Sequence, residues 1–159
     1  MRLPGPLALL VLASCATLSP RFEQDVATSF AQDEMRSLST PELELYYPAA
    51  YAPQAQRVAA RASECIRALR ARQAPPEEQG KVLLFLTSSN YNNAYVDGQH
   101  DGEPLHSLVP LTASEELFHW YGLSAADTGD IACHEMFHVV HFEQVKGFWR
   151  LFNLVFGPQ

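Results

Sequence analysis

A chain of 159 residues, 47% of them hydrophobic, holds at most one ordinary domain and enough apolar material for one core. Its formal net charge of −7 and the lack of a basic stripe argue against a nucleic-acid-binding module. It contains neither a Gly-x-Ser-x-Gly elbow nor a phosphate-cradling glycine loop, which removes two common catalytic schemes.

The first segment reads as an address. Arg2 precedes the apolar run Leu7 to Ala13, too short for a spanning helix of about 20 residues but suited to a secretory signal. Leu12-Ala13-Ser14-Cys15 resembles a bacterial lipobox, so residues 1–14 read as a lipoprotein signal peptide and Cys15 as the lipidated residue. The mature chain would then be anchored in the bacterial cell envelope by acyl chains. Ala16 in place of an Asp after the cysteine favours the outer membrane, facing the periplasm or the surface. Residues 15–40 read as a leader or tether, in which Phe22, Val26 and Phe30 at i+4 spacing suggest a short helix or packing arm.

Residues 41–159 carry the domain. Leu43-Glu44-Leu45-Tyr46-Tyr47 alternates and reads as a strand ended by Pro48. From about Pro53 to Arg72, Val58, Ala62, Cys65, Ile66 and Leu69 form one helical stripe, and Arg57, Arg61, Arg67 and Arg70 read as its solvated face. Val82 to Leu86 fits a central buried strand, and Ser88 to Pro104 reads as loop. Leu105 to Leu111 reads as a further strand that Pro110 confines to a sheet edge, where an extended peptide could add. A short helix or turn over Glu115 to Tyr121 and a connector lead to a helix that begins near Asp130, a plausible N-cap, and is broken by Gly147.

That last helix carries His134-Glu135-Met136-Phe137-His138. Histidines four apart on a helix lie roughly 40° apart on one face, so both imidazoles can address one ion. A zinc held there would lower the pKa of a water toward about 7, and the carboxylate of Glu135 is placed to take its proton. The spacing therefore points to zinc as cofactor, His134 and His138 as metal ligands and Glu135 as general base in amide hydrolysis. With six histidines and twelve glutamates in the chain, chance supplies the pattern roughly 2 times in 100, so the surrounding apolar helix must carry part of the reading.

A catalytic zinc normally has three protein ligands. Glu143 lies about 180° round the helix from His134 and cannot join it. His141 faces the right side but sits roughly 10 Å along the axis, so it reads as facing substrate or bracing the site from outside. The long metzincin pattern fails, with His141 and Gln144 where it requires Gly and His. Upstream, His100, His106, His119, Asp97 and Asp101 remain candidates without diagnostic spacing. Cys65 and Cys133 would pair in an oxidising envelope and tie the arginine-bearing helix to the metal helix; two buried free thiols fit the sequence equally well.

Leu45-Tyr46-Tyr47-Pro48, the arginine-rich helix, the Val82 to Leu86 strand, Asn92-Asn93-Ala94 and the run from His134 to His141 together resemble the N-terminal half of the peptidase MA-like gluzincins. The resemblance covers about Leu43 to Phe156 and implies an α+β fold, a zincin-like N-terminal subdomain: a small mixed sheet with an edge strand, packed on a long helix and the His-Glu-x-x-His helix. It implies a zinc metallopeptidase acting on peptide or protein substrates, which the lipobox-like segment at Cys15 would anchor to a membrane. It also implies that a Glu on a later helix, often in a Trp-x-x-Glu-Gly-x-Ala-like segment, completes the zinc site, and some bacterial members continue into a β-propeller. The chain has neither, which reads as a partial domain. The alternative is a non-catalytic envelope lipoprotein that keeps this half-fold as a binding or assembly module.

Overall fold

The computed structural model describes residues 20–73, 80–97, 105–111 and 128–144. Within them the fold is α+β, with three helices and a five-stranded mixed sheet. The elements are α1 (Gln24–Gln32), β1 (Met35–Ser39), β2 (Leu43–Pro48), a 3-10 turn (Ala49–Tyr51), α2 (Ala52–Arg72), β3 (Val82–Thr87), β4 (Tyr95–Asp97), β5 (His106–Pro110) and α3 (Thr128–Glu143). The signal segment, Cys15, the Glu115 to Tyr121 region, His100, Asp101, His119 and everything after Gln144 lie outside the described residues.

Strand order is β1-β2-β3-β5-β4. β2, β3 and β5 run parallel, while β1 and β4 close the two edges antiparallel. The period of two then fixes two faces. Leu43, Leu45, Leu84, Leu86 and Val109 join α2 and α3 in the main apolar core. Tyr46, Phe85, Leu108 and His106 point the other way, where Phe22 and Phe30 of the α1 region meet the Phe85 ring edge-on and tilted at 4.9 and 6.1 Å. The result is three layers, with α1 on one side of the sheet and α2 with α3 on the other.

The short helix or packing arm that Phe22, Val26 and Phe30 suggest is α1, with Val26 fully buried, and β1 after it pairs with β2 through all five of its residues. One expectation changes. Leu105 to Leu111 is not at the edge, because β4 covers its outer side. Pro110 is tolerated there for a local reason. The Leu111 amide donates to Thr87 of β3, so by alternation the nitrogen of Pro110 faces the β4 side, and β4 stops at the partner of Leu108. The proline signal for an unpaired position was sound, but it applied to one residue and not to the strand.

α2 and α3 form the most extensive helix pair. They are tied by a disulfide between Cys65 and Cys133, with Cα atoms 5.6 Å apart. Gln54 donates to Thr128 at 2.8 Å, Arg61 pairs with Asp130 at 3.3 Å, and Arg70 pairs closely with Glu143. Asp130 is therefore in the first turn of α3, where its charge suits the helix dipole, and not its N-cap. The arginines of α2 are also not merely a solvated face: Arg67 reaches Glu42, and the Arg70 side chain is only 10% exposed.

Candidate metal centre

α3 brings His134, Glu135 and His138 to one side of the molecule because its other face is committed. Ile131, Ala132, Met136, Val139 and Val140 are buried against α2 and the sheet. The histidines are left at the helix margin, His134 exposed and His138 half-buried. Their Nε2 atoms are 3.2 Å apart. Two nitrogens each about 2.05 Å from one tetrahedral ion would stand roughly 3.3 Å apart, so the pair fits a shared zinc. Although His134 reaches solvent, partial desolvation of its ring first, and then the neighbouring His138, hold the imidazole below its usual pKa, which favours the neutral ring that a metal requires.

Glu135 is only 3% exposed although it is a carboxylate in the middle of an apolar helix. Glu135 lines a cavity of about 440 Å³ together with both histidines. The opposite wall is residues 93–96, the Asn-rich loop and the start of β4. Among the described residues β4 is the outermost strand on that side, so the strand beside the cavity is β4 rather than the Leu105 to Leu111 strand. Sequence reasoning missed this three-residue strand inside a polar loop. The available signal was the alternation of Tyr95 and Val96 after Ala94, too short to separate from loop composition.

The remaining candidates sort by face. His106 is fully buried on the α1 side of the sheet, in ring contact with Phe22, Phe85 and Tyr95, and the sheet separates it from α3. Asp97 pairs with His106 across β4 and β5 and so shares that side. Glu143 points to α2, where Arg70 takes it. His141 is exposed and outside the cavity, its ring nearly parallel to that of the exposed Phe137. Among the described residues no group of three or more His, Cys, Asp or Glu side chains is arranged to hold a metal.

No family model, no curated protein and no solved structure matches this chain. Among the described residues no helix is long and apolar enough to cross a membrane.

Proposed function

We propose that this chain carries the metal-binding and general-base half of a zinc-dependent metallopeptidase of gluzincin type, on a zincin-like subdomain anchored to the cell envelope through Cys15. The observation that carries the reading is the convergence of the His134 and His138 Nε2 atoms at 3.2 Å beside a buried Glu135, all three in one cavity. His134 and His138 hold the ion, with a third ligand supplied from outside the described residues. Bound there, zinc supplies Lewis acidity, polarising a peptide carbonyl and making a water acidic. Glu135 accepts the proton of the attacking water and delivers it to the departing amine. The substrate carbonyl enters the cavity between α3 and residues 93–96, beside both histidines and Glu135.

The test pairs metal content with hydrolysis. Purified full-length protein should take up zinc, His134→Ala should lose it, and Glu135→Gln should keep it while peptide cleavage falls by at least about a thousandfold. Unchanged cleavage in Glu135→Gln would remove the general base from the scheme. The alternative of a non-catalytic envelope module draws on the two-ligand set among the described residues. It predicts loosely held zinc and no hydrolysis by the wild type.

A further inference from the structure

Among the described residues the buried serine and threonine side chains are those of Ser63, Thr87, Ser107 and Thr128. Three of these hydroxyls are engaged. Ser63 meets Thr40 at 2.9 Å, Thr87 meets Ser29 at 2.9 Å, and Thr128 accepts from Gln54 at 2.8 Å. Ser107 is the exception: it is fully buried, and its Oγ has no hydrogen-bond partner within the protein. A hydroxyl taken from water and given nothing in return is unfavourable, so its position calls for a physical reason.

Strand register sets the direction in which that hydroxyl faces. Ser107 pairs with Leu84 of β3 on one side and with Val96 of β4 on the other. Leu84 and Val109 belong to the core under α2 and α3, and Val96 packs against that core. By the period of two, Ser107 therefore points toward α3 and away from His106 and the aromatic rings of the α1 side. Val96 also lines the histidine cavity together with Glu135. Directly paired residues hold their Cβ atoms about 4.5–5.5 Å apart, which sets Ser107 one strand behind the cavity wall. α3 packs on both β4 and β5. Apart from Glu135 and Thr128, the residues that α3 buries are apolar or glycine, and Thr128 is engaged by Gln54. The polar group that α3 offers to the Ser107 side of the interface is thus the Glu135 carboxyl.

We infer that Ser107 is a positioning residue for Glu135: its hydroxyl donates through one bridging water to the carboxyl and so fixes the direction in which that carboxyl faces the histidine pair. The inference rests on the metallopeptidase reading for what Glu135 does in the reaction, but not for the coupling of the two side chains. One water spans a separation that a direct hydrogen bond does not, provided that polar groups flank it. A carboxylate has about four acceptor sites, so it can take this bond and still present an oxygen to an attacking water. What Ser107 supplies is a restricted setting of the group that takes the proton.

The coupling is measured on the full chain in excess EDTA by urea titration, as a double-mutant cycle. Ser107→Ala should raise the unfolding constant about fivefold when Glu135 is present and leave it unchanged in Glu135→Leu. Glu135→Met gives a second background that also removes the carboxyl. A more stable Ser107→Ala protein, as a merely stranded hydroxyl would give, or an equal loss with and without the carboxyl overturns the inference. Peptide cleavage by the zinc-loaded chain then reports on the role. Ser107→Ala should lower kcat about tenfold with KM and zinc content unchanged. An unchanged kcat, or a loss confined to KM, overturns the positioning role. Coupling in a wild-type chain that cleaves nothing upholds the pairing of Ser107 with Glu135 and removes the peptidase reading instead.

Discussion

At Glu42 the surroundings shift a titration. Burial works to raise the pKa of its carboxyl, but the Arg67 guanidinium, 3.1 Å away, and the Thr40 hydroxyl more than offset that and hold it below its usual value. A carboxylate depressed in the folded state stabilises the fold above its unfolded pKa of about 4.3 and loses that contribution as pH falls through the folded value. Glu42→Gln should therefore lower the melting temperature by a few degrees at pH 7, and the gap to wild type should close in the acid range; a gap that persists at low pH would mean the charge is not the cause. Residues of this kind are hard to read from sequence. Arg67 and Arg70 have the spacing of a solvated stripe, and only the placement of Glu42 and Glu143 on neighbouring elements turns them into ties. His106 is the converse case: its residue type suits a ligand, but strand parity aims it at Phe22 and Phe85 on the far side of the sheet.

At the scale of elements, what repeats along the chain was legible and what depends on neighbours was not. Val58, Ala62, Cys65, Ile66 and Leu69 mark α2 by their period, and the structure runs it from Ala52 to Arg72 with a proline in its first turn. The apolar run of β3 marks a central strand, and parallel partners flank it on both sides. β1 and β4 escaped notice because edge strands bury little and so carry no strong alternation; the burial of β1 is only partial along its length. For the site, the ligand pair could be read from helix geometry, whereas the wall opposite it could not, since residues 93–96 reach it only through the sheet order. The pairing of Cys65 with Cys133 likewise needed the register of α2 on α3. It closes a loop of 68 residues, for which chain entropy gives about 4 kcal/mol. The double variant Cys65→Ser, Cys133→Ser should lose stability of that order in urea titration while α3 remains helical by circular dichroism. An unchanged midpoint would show that the other three ties and the core already hold the helix pair.

Across the described residues the fold is a sheet with an asymmetric dressing. α2 and α3 bury one face in a continuous aliphatic core, and α1 closes the other over aromatic rings. α3 reaches the β4 side of the sheet, making contacts with both β5 and β4. This is why the histidine pair faces residues 93–96 and β4, the last strand of the described sheet. It also places α1 beside that strand, so the segment that first reads as a leader contributes Arg21 and Glu23 to a wall next to the site. Truncating the chain before Met35 would therefore strip Val26 and the Phe22 and Phe30 rings from the sheet as well as remove that wall. Such a truncation should expose Phe85 and raise binding of a hydrophobic dye, with the aromatic surface left bare as the cause.

The bond between Cys65 and Cys133 has a further consequence for how damage to the molecule would look. β3, β4 and β5 all lie in the covalent ring that it closes. A single protease cut anywhere between those two cysteines opens the ring without releasing a fragment, because both new ends stay joined through the sulfurs. The nicked protein should run at full mass on a non-reducing gel and separate into two pieces only after dithiothreitol is added.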